Sequence, residues 1–166
     1  MLAFLLILLG VLSRFIIHIE NFTPILAIAL FAGFYLSKRN ALMVPLVMMI
    51  ISDAFVGFHD MILFTWGTIL LTAYIGVKNR ERKSVKTVAF ASIGSALIFH
   101  IVTNFAVWVF YTTYPKSLAG IIECYVAAIP YFRGTLLSTV IYTAVLFGGY
   151  EFLTARIKNT RFAKAL

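Results

Sequence analysis

Charge is scarce in this chain and acid scarcer still. Six Asp and Glu stand against fourteen Lys and Arg in 166 residues, and charged residues of both signs make up 12%. A soluble domain carries about a quarter charged residues. With 62% hydrophobic residues and a mean hydropathy of +0.99, the composition excludes an ordinary soluble domain and points to a single integral membrane domain. Cys124 is the one cysteine, which excludes an internal disulfide and a multi-cysteine metal site. No Walker loop is present, so the chain has no means of hydrolysing ATP, and energised transport would draw on a separate ATPase or a gradient. No serine sits in a GxSxG turn, although Ser52 adjoins Asp53, and hydrolytic catalysis has no support. His18, His59, His100, Asp53 and Asp60 offer metal donors, but there is no HExxH, His-x-His or paired cysteine to set a ligand spacing. His100, Asp53 and Cys124 are therefore weak metal candidates, and no cofactor is expected. Met1 runs directly into LAFLLILLGVL without a basic leader, which disfavours a signal peptide. The net charge of +8 punctuates apolar runs instead of forming a solvated patch, which argues against nucleic acid.

What the chain has is hydrophobic length. Apolar stretches at about 2–19, 22–37, 41–58, 61–77, 85–111 and 134–155 each approach the roughly 17–25 residues that cross a bilayer, with 22–37 the shortest. The stretch 118–131 is too short and holds Glu123 and Pro130, which suits an interfacial or re-entrant helix. Lys38 and Arg39 follow the second stretch. Lys78, Arg80, Arg82, Lys83 and Lys86 follow the fourth, and Arg156, Lys158, Arg161 and Lys164 the sixth. Eleven of the fourteen basic residues thus fall on one side of a six-span bundle, and the positive-inside rule makes that side, with both termini, cytoplasmic. The expected fold class is an all-α membrane protein with six transmembrane helices and a short helix between the fifth and sixth.

This topology gathers the unusual polar residues in the outer half. Arg14 and His18 end the first span and Asn21 follows it; Asp53 ends the third; His59 and Asp60 form the next turn. His100, Asn104 and Trp108 stack at i, i+4 and i+8 along the fifth, and Arg133 opens the sixth. Ionisable groups inside a membrane cost about 2.5–3.5 kcal/mol each on insertion scales, so their convergence implies a binding site. Plainer readings stand beside this one. Arg14 can snorkel to the interface, His18 can be solvated, Asp53 can pair with Arg14 to fix packing, and His100 with Asn104 can be a helix-packing hydrogen bond. Trp66, Trp108, Tyr111, Tyr114, Tyr125 and Tyr131 suit an interfacial belt as well as ligand stacking, and Cys124 suits a small hydrophobe. Toward the other end, Ala27, Ala29, Ala32 and Gly33, and Ala91, Ser92, Gly94, Ser95 and Ala96, supply small-xxx-small spacings for close helix packing or a partner surface.

Several segments carry a resemblance: Asn21-Phe-Thr-Pro, Ala29-Leu-Phe-Ala-Gly, Pro45, Ser52-Asp53 with Gly57-Phe-His, Thr103-Asn104-Phe-Ala-Val-Trp108, Tyr114-Pro, Leu118-Ala-Gly, Cys124-Tyr-Val-Ala-Ala-Ile-Pro and Phe132-Arg133-Gly-Thr-Leu. Over nearly its whole length the chain resembles DUF6580, a family of small bacterial membrane proteins. That family is distantly similar to the S components of energy-coupling factor transporters, six-helix proteins that capture vitamins or metal ions near the outer face. The wider similarity implies an outward-facing pocket, a bacterial inner-membrane location, and an EcfT-type scaffold with its ATPases as partners. A cysteine near the ligand serves as a cobalt ligand in some S components, which invites comparison with Cys124.

The expected function is capture or uptake of a small, anionic or zwitterionic nutrient by a protein that is not an enzyme. Arg14 and Arg133 would neutralise an acidic group, and Asp53 would balance Arg14 or accept from a donor. His100 and Asn104 would bond polar edges, Trp66, Trp108 or Tyr125 would stack on a ring, and His18, Asn21 and His59 would complete the wall. The competing expectation is a non-transporting assembly subunit or an intramembrane enzyme using His and Asp.

Overall fold

Helices form along the apolar runs and break where the sequence places serine, glycine and proline. The computed structural model describes residues 2–16 and 21–157, and those residues are all-helical with no strand. The elements are α1 (Leu2–Ile16), α2 (Ile25–Tyr35), α3 (Lys38–Val56), α4 (Ile62–Asn79), a 3-10 turn (Arg80–Arg82), α5 (Val85–Phe110), α6 (Leu118–Ala127) and α7 (Ile129–Ile157). His18, Lys158, Arg161 and Lys164 lie outside the described residues. Ser37, Ser84 and Ser117 cap α3, α5 and α6, each side-chain oxygen accepting from a backbone N–H three residues on, which satisfies donors that a helix start leaves unpaired. Gly57 ends α3 at φ 112° with open space around it; there the backbone conformation, not crowding, calls for glycine.

Three helices, α3, α5 and α7 over Ile129–Arg156, are long and apolar enough to cross a membrane. Helices α1, α2 and α6 are apolar but shorter. The sixth stretch, expected from 134, starts five residues earlier: Pro130 lies in the first turn of α7 and not inside the 118–131 segment. A proline has no N–H to lose in a first turn, and its fixed φ suits one.

Helix α2 organises the rest. It is hydrophobic on all sides, a pattern that belongs in an interior, and every residue from Leu26 to Phe34 is buried. It packs against α1, α3, α4, α5 and α7, while α1 packs on α3, α3 on α4, α4 on α5, and α5 on α7. The five outer helices thus wrap a central one in the order α1, α3, α4, α5, α7, and α6 lies on α5 and α7. The closest approach is α2 on α4, where a Cβ added at Gly33 would meet Ala73 O and stand 2.8 Å from the Gly76 Cα. Small residues let these two backbones touch. Ala91, Ser92, Ser95 and Ala96 are buried on α5, whereas Gly94 faces open space.

The helix directions set two distinct ends. One gathers Lys38, Arg39, Lys78, Arg80, Arg82, Lys83, Lys86 and Arg156. There Arg80 Nη2 donates to Gly33 O at 2.8 Å, a cation on the carbonyl end of α2 where the helix dipole favours one. The other end gathers the termini of α1, α3 and α5 with the starts of α2, α4 and α7.

Candidate functional site

At the end opposite the basic loops, Arg14 reaches from α1 to α3. Its Nη1 donates to the Asp53 carboxylate and to Ser52 Oγ at 2.7 Å. Trp66, entering from α4, donates Nε1 to the other carboxylate oxygen of Asp53 at 2.7 Å. Asp53 is fully buried and so has a cation and an indole N–H in place of water, the condition under which a buried charge is tolerated. The packing reading of Arg14 and Asp53 describes their contacts, and Trp66 supports that pair instead of presenting itself for stacking.

A second group forms on α5. Asn104 Nδ2 donates to His100 O at 2.8 Å and lies 3.0 Å from His100 Nδ1. This bond makes Nδ1 the acceptor, so the proton of a neutral imidazole sits on Nε2. Aromatic rings hold the imidazole, Phe132 at 4.6 Å between centroids and Tyr125 at 5.9 Å edge-on. Tyr125 is itself tied down, its hydroxyl donating to Ile101 O at 2.6 Å. From α6, Cys124 Sγ lies 3.5 Å from Asn104 O, and burial pushes its thiol pKa up.

Two cavities open here. The larger, about 340 Å³, is lined by His100, Asn104, Thr103, Cys124, Phe132 and Tyr114 among others; the smaller, about 200 Å³, by Arg14, His59, Met49, Thr139 and neighbours. Asn21, Thr65, Phe99 and Thr135 line both. Asn21 takes a left-handed φ of 55°, which Asn tolerates better than most residues, and its carbonyl accepts from Ser138 on α7.

The candidate residues therefore separate. Arg14, Asn21, His59, His100 and Asn104 line the cavities; Asp53, joined to Arg14, and Trp66, joined to Asp53, line neither. Trp108 stands apart, donating Nε1 to Pro115 O at 2.9 Å and shielding Lys116, which caps the carbonyls ending α5. Arg133 is exposed and lines neither cavity. Among the described residues no three His, Cys, Asp or Glu come together as metal ligands, and His100, Asp53 and Cys124 form no such set. Thr65, Phe99, Phe132 and Thr135 are wall residues that the sequence reading passed over. The hydroxyl spacing Thr65, Thr68, Thr72 on α4 and Thr135, Ser138, Thr139 on α7 was a readable signal of inward polar faces, whereas Phe99 and Phe132 carry none among so many apolar neighbours.

Compared with known proteins, the chain matches DUF6580, described as a family of unknown function, over residues 1–162. No curated protein and no solved structure matches it.

Proposed function

The chain belongs to the DUF6580 family, and from that starting point we propose that it is a membrane protein that binds a small polar nutrient for uptake, in the two cavities at the end away from the basic loops. The observation that carries this reading is the His100–Asn104 pair on the wall of the 340 Å³ cavity. Asn104 holds the imidazole in one tautomer, and among the described residues nothing occupies His100 Nε2 or Asn104 Oδ1. A donor and an acceptor, oriented beforehand and left unused in an otherwise largely apolar cavity of ligand size, are the ordinary makings of a small-molecule site.

In the layout we favour, α1 to α5 and α7 cross the bacterial inner membrane, α6 rests at the outer interface, and both termini are cytoplasmic. The clustering of basic residues at one end supports this orientation. Helix α2 has 11 residues, about 16 Å at ~1.5 Å per residue, well short of a hydrocarbon core. Its burial on all sides supports the layout nonetheless, because irregular backbone at membrane depth is tolerated where protein surrounds it. Kinship with S components and dependence on an EcfT-type scaffold belong to this proposal; co-purification with such a scaffold tests them.

Ligand capture is tested by the thermal stability of the purified protein across a panel of vitamins, cofactors and metals. A specific ligand at a hundred times its dissociation constant adds about 2.7 kcal/mol. We expect one class to raise the melting temperature, and Asn104→Ala to abolish the rise while the unliganded protein melts within a few degrees of wild type. A panel that leaves the melting temperature unmoved, or a rise that survives Asn104→Ala, counts against the assignment. Arg14→Ala is a poorer probe, since it strands Asp53 without a cation.

A further inference from the structure

We infer that the two cavities form one two-compartment site for an elongated molecule with a planar, uncharged, hydrogen-bonding head and a single carboxylate end: the head lies against His100 and Asn104, and the carboxylate lies at Arg14 and His59. This rests on the binding reading above and goes further by naming the ligand class. The compartments adjoin, since Asn21, Thr65, Phe99 and Thr135 belong to both walls. They differ in charge. Among the described residues no Asp, Glu, Lys or Arg lines the larger one, and in the smaller Arg14 is the single charged wall residue.

The ion pair is turned so that only its cation meets the cavity. Asp53 lies wholly behind the wall with both carboxylate oxygens engaged, by Arg14 and by Trp66. Arg14 uses Nη1 alone for Asp53 and Ser52, and among the described residues its Nη2 and Nε have no partner. A guanidinium has five donors in a fixed fork, so a paired arginine can still receive a second acceptor. Beside it, His59 Nδ1 is buried without a hydrogen-bond partner, an unmet demand that a ligand entering this compartment can relieve. A carboxylate suits the place better than a phosphate, because one cation already shared with Asp53 cannot balance a dianion. The larger compartment offers Nε2–H and Oδ1 at its wall with the Phe132 ring near by, which matches the edge and face of a polar ring.

The test uses indole and benzamide heads bearing alkanoate chains of increasing length, each also supplied as the terminal amide and as the alkyl phosphate, with thermal shift and binding measured on the purified protein in detergent. We expect an optimum chain length and an acid that binds about tenfold or more tightly than its amide, the scale of a charge-assisted hydrogen bond. His59→Gln and the paired replacement Arg14→Met with Asp53→Leu, which strands no charge, should each reduce the preference for acid over amide. Lys83→Ala at the far end should leave it unchanged. Acid and amide binding equally, phosphate binding best, or a preference that persists in both altered proteins overturns the inference while leaving the cavity as a binding site. If neither head nor any chain binds, this inference falls, and the binding reading stands or falls on the vitamin, cofactor and metal panel above.

Discussion

The Arg14–Asp53 pair at the cavity end and the Lys83–Glu151 pair at the basic end use the same charges in different surroundings. The side chains of the first are 18% and 0% exposed, those of the second 37% and 53%. Both are reinforced by an aromatic residue. Trp66 donates to Asp53, while the Tyr35 hydroxyl donates to Glu151 at 2.5 Å and Lys83 lies 4.5 Å from the Tyr35 ring centroid. At the basic end water screens the charges, and either partner can be solvated if the other is lost. At the cavity end neither can leave cheaply, so each needs the other in order to be buried at all. The inner pair joins α1, α3 and α4 around the candidate site, and the outer pair joins the loop before α5 to α7.

The contrast can be broken most forcefully at Asp53. Asp53→Ala leaves Arg14 without its buried counter-charge, and we expect a loss of about 3 kcal/mol, read as a fall in the detergent melting temperature. Replacing Arg14 by Met in the same protein should recover most of that loss; if the double variant is as unstable as the single one, the pair is not the cause. A smaller effect is expected from Trp66→Phe, which keeps the ring and removes one hydrogen bond to a carboxylate, at about 1.5–3 kcal/mol. Its cost should vanish in the background lacking both Arg14 and Asp53, which a double-mutant cycle measures. The smallest effect belongs to the basic end: Lys83→Ala should cost no more than about 1 kcal/mol and lose even that in high salt. A larger, salt-insensitive cost would show that the two ends do not differ as described.

Much of the site was legible along one helix and little of it across helices. His100 and Asn104 were placed together because their i, i+4 spacing fixes proximity whatever the fold does. The Arg14–Asp53 pair stood among open alternatives, because 39 residues separate the partners and only the packing of α1 on α3 brings them into contact. From the sequence, Arg133 reads as a site cation. Helix α7 begins at Ile129, earlier than its hydropathy suggested, and its register sends Thr135, Ser138 and Thr139 inward while Arg133 remains exposed. Trp108 and Tyr125 looked suited to ligand stacking, yet their N–H and O–H bond backbone carbonyls at Pro115 and Ile101. The polar tip of a Trp or Tyr that packs against protein takes a hydrogen-bond partner within reach.

By itself the sequence determined that this chain is helical and built for a membrane, and that basic residues share one end. Those properties depend on composition, periodicity and neighbours within a turn, all of which are local. Tertiary structure decided that the second apolar stretch is a short central helix and not simply one span among six. It also decided that Arg14 both pairs with Asp53 and lines a cavity, and that two cavities share a wall. These depend on which faces of distant helices meet, and hydrophobic burial, being non-directional, leaves that choice to backbone fit at places such as Gly33 against Gly76 and to the few buried charges that must find each other.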